Sequence, residues 1–251
     1  MVSKHQQQSL YTDLATLYDK LYSYKDYDAE AESVLKNINE IIKKENAQIS
    51  LLDLACGTGK HVSYFMQNGL RCDGLDGNAD IIKVAKQNNP RATFYHQDLN
   101  HLQMPHKYDV VTCFFSSIQY VTNQNTLKKV FAHIYDNLED NGLFIFDLQY
   151  AKDRWQEGHV AVNTYRDDEY QILMLFQSWS ENDITHWKPA ILVKHNGKLD
   201  MEIDEHTIHL YTIQEIVNLL KDCGFTIDIQ NGYSGKKYTQ QSQIPLIIAK
   251  K

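Results

Sequence analysis

Apolar residues recur along the chain in two rhythms, and their order sets the expected fold. Leu14, Leu17, Tyr18 and Leu21 fall at intervals of three and four, and after a polar break at 23–28 the spacing resumes with Ala31, Val34, Leu35, Ile38 and Ile42. That is the face of an amphipathic helix, interrupted once. Residues 49–55 form instead a short, mostly apolar run, I-S-L-L-D-L-A, that ends at glycines, as a strand buried in a parallel sheet does. Alternation follows. A helix is predicted over 60–68 and closed by Gly69, a strand over 70–75 ends at Asp76, and a helix over 79–87 is stopped by Asn88, Asn89 and Pro90. Strands over 93–96 and 108–115 come next, then a helix over 126–138 broken at Gly142, then a strand over 143–148. This order predicts a doubly wound, Rossmann-like parallel α/β sheet whose strand carboxyl ends gather on one edge, where ligands bind.

The rhythm changes after Gln149. Runs over 170–179, 184–195 and 199–210 are rich in β-formers, and Asn182-Asp183 and Asn196-Gly197 are turn signals between them. Three antiparallel strands inserted after the fifth strand are expected. Thr212 and Glu215 have capping-box spacing at the start of a helix that runs to Cys223 and ends at Gly224. Runs over 225–229 and 245–249 would close the sheet at seven strands. The expected division is a helical segment over the ligand edge (1–48), an α/β core (49–149), an inserted antiparallel β cap (150–210), and a closing helix with two strands (211–251).

Composition narrows the chemistry. The 251 residues are 43% apolar and 23% charged, enough for a packed core and unlike a disordered chain. The net charge of −7 and the lack of a Lys/Arg block argue against nucleic acid as a partner. Residues 1–9 have no apolar core of a signal peptide, and the longest apolar runs are too short for a bilayer. A cytoplasmic protein with no membrane contact is expected, with a homodimer left open. Cys56, Cys72, Cys113 and Cys223 form no C-x-x-C pair and read as reduced, buried thiols. His206 and His209 sit three apart on an expected strand and so point to opposite faces, which predicts no metal site there.

The chemistry concentrates in L-L-D-L-A-C-G-T-G at 51–59. Gly57 and Gly59 let the chain turn sharply, so a ligand can touch the backbone at a helix N-terminus. A dinucleotide fingerprint wants a third glycine three residues beyond the second, and this chain has Val62. Asp76 ends the second strand 17 residues after Gly59, where a carboxylate can accept both ribose hydroxyls. Asp98 ends the third, suited to the edge of an adenine. Together they describe a nucleoside without phosphates. Asp76 also suits a helix cap, Asp98 a loop, and Asp53 a partner for the turn's amides.

Residues 51–59 resemble motif I of class I S-adenosylmethionine (SAM)-dependent methyltransferases. The likeness extends through L-Y-D at 17–19, K-D-Y at 25–27, L-D-G at 75–77, Q-D-L at 97–99 and F-F-S-S-I-Q-Y at 114–120. With the β-rich insertion, this order is similar to the amino-sugar N,N-dimethyltransferases of macrolide biosynthesis. The resemblance implies SAM as methyl donor, S-adenosylhomocysteine as product, and a small-molecule acceptor, methylated at an amine nitrogen. It implies that Tyr18 reaches over the donor's methionine part with Tyr27 nearby. Ala55 and Gly57 would meet the methionyl amino group, oriented by Asp53, on the turn that Gly59 completes. Asp76 and Gly77 would hold the ribose, Asp98 and Leu99 the adenine, and Phe114 would sit against the amino end. Where the amino-sugar enzymes place a histidine facing the substrate amine, this chain has Tyr120. A phenol with a pKa near 10 is a poor general base at neutral pH, but it can orient an amine. Residues 233–237 resemble a substrate-side loop of the same family. In the insertion, Arg166, Trp179 and Trp187 are expected either to wall the acceptor, with Arg166 suited to a phosphate or carboxylate, or to pack the strands. The rival readings are a non-catalytic module that binds SAM or its product, and an NAD-dependent oxidoreductase on the same sheet, against which Val62 speaks.

Overall fold

Every residue of strand β1 (Ser50–Leu54) except its first is buried, and all six of β4 (Tyr108–Cys113) are, because helices cover both faces of the sheet to which they belong. The computed structural model describes residues 15–239, 241–242 and 244–251. Residues 1–9 and Leu14 lie outside the described residues. Strands β2 (Arg71–Asp76), β3 (Thr93–His96), β5 (Leu138–Asp147), β12 (Thr226–Asn231) and β13 (Pro245–Lys250) complete a seven-stranded sheet in the order β12-β13-β5-β4-β1-β2-β3. All neighbours are parallel except where β13 meets β5 and β12. The expected doubly wound sheet is therefore present.

Strand alternation sorts the apolar residues into two cores. Phe144 and Phe146 of β5 join Leu52, Leu54 and Val111 beneath α5 (Gln124–Asn137) and α6 (Ile213–Asp222). Leu143 and Ile145 join Leu51 and Val110 on the opposite face, beneath α2 (Tyr27–Ile41), α3 (Lys60–Gln67) and α4 (Ala79–Asn88). The N-terminal rhythm is broken as expected. A 3-10 turn at Ala15–Leu17 runs into α1 (Tyr18–Leu21), and α2 restarts after Asp26, whose carboxylate accepts from Ala29 N at 3.0 Å. One boundary differs. Gly142 lies inside β5 rather than at the end of α5, which gives way to the strand at Leu138. A Cβ on Gly142 would come within 3.0 Å of Asp109 O on the neighbouring strand, so packing, not helix termination, calls for this glycine.

The insertion holds six strands where three were expected: β6 (Val160–Arg166), β7 (Tyr170–Glu181), β8 (Ile184–Trp187), β9 (Ala190–His195), β10 (Lys198–Ile203) and β11 (His206–His209). β7 pairs with β6, and its other edge pairs first with β9 and then with β8. The run 184–195 divides at Lys188 and Pro189, and 199–210 divides at Asp204 and Glu205. The two breaks interlock: Pro189 has no N–H to give a ladder, but its carbonyl accepts from Asp204 N at 3.0 Å. Where the insertion leaves and rejoins the core, Lys152 N donates to Tyr211 O at 3.0 Å. Thr212 and Glu215 form the expected capping box on α6.

Candidate functional site

The carboxyl ends of β1, β2 and β4 open onto a cleft roofed by α1 and by the insertion. The turn after β1 holds Ala55, Gly57 and Gly59 at φ of 53°, 55° and 79°, a left-handed course that favours glycine. The two glycines differ in what surrounds them. A Cβ on Gly57 would meet nothing within 4 Å, so the backbone there is bare to the cleft. A Cβ on Gly59 would strike Asn89 Nδ2 at 2.7 Å and Phe94 Cζ at 3.3 Å. Gly59 is thus buried against the end of α4 and β3, and it lines neither cavity described below.

Asp76 closes the turn from the side. Its carboxylate accepts from Gly57 N at 3.0 Å and Asn78 N at 2.9 Å. Burial pushes its pKa up, and those amides only partly offset the effect. Asn78, not Asp76, caps α4. Asp53 is 2% exposed and accepts from Thr112 Oγ1 at 2.7 Å. Burial raises its pKa to about 6, opposed by His61 and the threonine. Asp98 is exposed and bonds Asn100 N at 2.8 Å, while Leu99 beside it is buried.

Two adjoining cavities share Tyr18, Ala55, Gly57, Ser117 and Tyr120. One is polar at its far end, where Asp76, Gly77, Asn78, Asp98 and Leu99 gather. The other is walled by rings: Tyr22, Tyr24, Tyr27, Phe114, Phe115, Tyr150, Phe176 and Trp187 join Asp53 and His61. Burial raises the pKa of both Tyr18 and Tyr22, so their hydroxyls stay neutral. Lys25 and Glu30 pair at 3.2 Å, Glu30 meets His61 Nε2 at 3.1 Å, and Lys25 lies 3.9 Å from the Phe115 ring centroid.

The segment after β4 is shaped by one buried carboxylate. Phe115 and Ser116 both take positive φ, 58° and 59°, which non-glycine residues hold only under compensation. Asp147, at the end of β5, supplies it by accepting from Phe115 N at 3.0 Å, Ser116 N at 2.5 Å and Tyr233 Oη at 2.6 Å. The 3-10 turn Ser117–Tyr120 that follows is pinned by Gln119, which donates to the carbonyls of Tyr150 and His209. Tyr120 is thereby set between the cavities, its hydroxyl 2.8 Å from His206 Nδ1.

Thus Tyr18, Tyr27, Asp53, Ala55, Gly57, Asp76, Gly77, Asp98, Leu99, Phe114, Tyr120 and Trp187 line one or both cavities. Arg166 and Trp179 do not, which corrects the expectation that they wall the acceptor. Exposure alternates along β6 and β7, and both residues fall on the outward face, Trp179 at 43% exposure. Their inward counterparts, Asn163 and Phe176, reach the cavity instead. Sequence reasoning also passed over Tyr22, His61 and Tyr150, and weighed His206 only as a metal ligand. Period-2 parity marks Asn163 and Phe176 once a register is known, but His206 joins the site through a contact between residues 86 apart. Lys236 and Lys237 are exposed. Among the described residues, no three His, Cys, Asp or Glu side chains cluster to hold a metal, and no helix is long and apolar enough to cross a membrane.

Known proteins resemble this chain in sequence and in fold. Residues 51–142 match a family model described as a methyltransferase domain. The chain is 27% identical, over 89% of its length and 95% of the relative, to dTDP-3-amino-3,4,6-trideoxy-alpha-D-glucopyranose N,N-dimethyltransferase of Streptomyces venezuelae. The crystal structure of Streptomyces venezuelae DesVI superposes with a TM-score of 0.80 at 26% identity, over 95% of this chain and 98% of that one. SAM-bound CalS10, an amino pentose methyltransferase from Micromonospora echinaspora, shares the fold with a TM-score of 0.77 at 18% identity, over 90% and 92% of the two chains.

Proposed function

We propose that this chain, a SAM-dependent methyltransferase of class I fold, transfers its methyl group to an amine nitrogen of a small, sugar-like acceptor. The observation that carries this reading is the paired cavity: a polar compartment and a ring-lined one meet at Tyr18 and Tyr120. Relatives whose names specify amino sugars support the acceptor class.

The bare backbone at Gly57 and the carboxylate of Asp76 beside it fit a ribose. In this reading Asp76 holds the sugar hydroxyls, Asp98 and Leu99 the adenine edge, and Ala55, Gly57 and Asp53 the amino end, with Phe114 and Tyr27 packed nearby. Bound there, SAM supplies a sulfonium methyl, an electrophile that needs alignment more than activation. The rings of Tyr18, Tyr22 and Phe115 exclude water and present electron-rich faces to a cation. Tyr120 orients the acceptor nitrogen, and Asn163, Phe176 and Trp187 form its far wall.

Two measurements test the proposal. Asp76→Ala loses the group that accepts from Gly57 and Asn78, and calorimetry should show S-adenosylhomocysteine binding weakened by at least about tenfold. Unchanged affinity would refute the place given to Asp76. Incubating the protein with methyl-labelled SAM and a panel of amines, dTDP-linked amino sugars included, should put label on nitrogen. Label found only on hydroxyl or carboxylate members would overturn the acceptor class.

A further inference from the structure

We propose that Tyr120, His206 and Asp204 form a relay that removes a proton from the acceptor nitrogen. The inference rests on Tyr120 facing an amine, as proposed above. Three residues from separate elements meet here. Tyr120 ends the 3-10 turn after β4, His206 opens β11, and Asp204 lies in the link from β10. Tyr120 Oη is 2.8 Å from His206 Nδ1, and His206 Nε2 is 3.2 Å from Asp204 Oδ2. His206 is 2% exposed and Asp204 fully buried. Trp187 stacks on the imidazole at 4.0 Å and 14°, fixing the plane of the ring. The second oxygen of Asp204 accepts from Glu205 N at 2.8 Å.

The chemistry of the three groups fixes the direction of the chain. Taken as ionised, the Asp204 carboxylate lies at ion-pair distance from Nε2 and draws a hydrogen to that nitrogen by charge attraction, although the contact lacks hydrogen-bond geometry. Nδ1 then offers a lone pair, and the Tyr120 hydroxyl must donate to it. The phenol oxygen consequently presents only lone pairs to the cleft and favours an N–H or O–H donor there. A phenol alone is a poor base near neutrality. Backed by an imidazole, it need not become a phenolate, because it gains one proton as it gives up another.

An acceptor arriving as an ammonium would break one N–H bond and keep the electron pair on nitrogen as its lone pair. That proton binds Tyr120 Oη while the original Oη proton passes to His206 Nδ1. The step ends with a neutral amine, an intact phenol, and an imidazolium beside the Asp204 carboxylate. In water such a transfer from ammonium to imidazole runs uphill by roughly four orders of magnitude. Asp204 offsets part of this by stabilising the imidazolium, as the buried carboxylate of a hydrolase triad does. The proton returns to solvent by the reverse path once product leaves. The titratable groups that line the cavities with Tyr120 include Tyr18, Tyr22, Tyr150, Asp53, His61 and Asp76, while Glu205 is drawn to Lys188 at 3.1 Å. Asp204 and His206 act through Tyr120 and are positioning residues.

Nitrogen NMR of the full chain with labelled histidine tests the hydrogen-bond order without any donor present. His206 should show hydrogen on Nε2 and a bare Nδ1 whose signal moves in Tyr120→Phe. A ring protonated on Nδ1 overturns the relay whatever the acceptor. Kinetics test the proton path. His206→Gln and Tyr120→Phe should each lower kcat on an amine at pH 7 by about 100-fold, and the deficit should shrink below tenfold at pH 9.5, where more amine arrives neutral. An equal deficit at both pH values overturns the relay, since a merely structural defect would not depend on the acceptor's protonation. If His206→Gln does not fold, Tyr120→Phe carries both readings, because it removes one oxygen and keeps the ring. A wild-type enzyme inert on every amine would sink the acceptor reading instead, and the nitrogen spectra would still decide the hydrogen-bond chain.

Discussion

Asp53 and the two glycines of the first turn show how single residues divide the work of folding and binding. Burial raises the Asp53 pKa to about 6, above its value in an unfolded chain, so the folded state favours the protonated form. The stability from this group is complete below about pH 4 and is lost as pH rises through 6. Asp53→Asn should therefore raise the Tm of the ligand-free protein at pH 7.5, by about 2–3 kcal/mol of stability at most, and the gain should shrink at pH 5. Binding has the opposite sign if a cationic amino group lies beside Asp53. Affinity for S-adenosylhomocysteine should then fall below pH 6, by up to about tenfold per pH unit, and titration calorimetry should find this slope gone in Asp53→Asn. The glycines separate in the same way. Gly59→Ala meets Asn89 and Phe94 at positive φ, and should cost about 2–4 kcal/mol in chemical denaturation. Gly57→Ala meets no protein atom within 4 Å, and should cost about 1–2 kcal/mol of stability but obstruct the ligand.

At the scale of elements, what could be read from the sequence depended on whether periodicity or register decided the outcome. The alternation from 49 to 148 was legible because each strand there is a short apolar run and each helix has its own stripe. The capping box at Thr212 was legible because its bonds span three residues. The insertion was less so. Its continuous β-formers hid the breaks at Pro189 and Asp204, and without register nothing says that Arg166 and Trp179 face outward while Asn163 and Phe176 face in. Asp76 stood out because it ends β2, and Asp98 because it follows β3 by two residues, where it caps the next turn. Asp147 also ends a strand, yet its task is to hold Phe115 and Ser116 in left-handed conformations, which no local pattern reveals. Asp147→Ala should therefore destabilise the protein by about 3 kcal/mol, since it takes the acceptor from the buried Ser116 amide, from the Phe115 amide and from a half-buried phenol. Urea unfolding would measure this.

Across the whole molecule, α1 ties the two sheets together through consecutive residues. Asp19 accepts from Thr58 Oγ1 at 2.7 Å on the glycine turn, and Lys20 pairs with Asp167 at the β6–β7 turn, where Tyr165 Oη also donates to that carboxylate. The Asp167 partner pushes the Lys20 pKa up to about 12. A single ion pair about 30% exposed contributes little to global stability, so Lys20→Ala should shift the Tm by less than about 2 °C. It should nevertheless speed amide exchange through 18–26, because local opening is governed by local ties.

The insertion departs from the core and returns to it at one spot, where the amide of Lys152 meets the carbonyl of Tyr211. An insertion whose two ends meet can change in length without rethreading the strands that carry it, provided its side-chain ties to α1 and to the turn after β4 are kept. Evolution can thus graft new upper storeys onto this chain while the foundation beneath them stays unaltered.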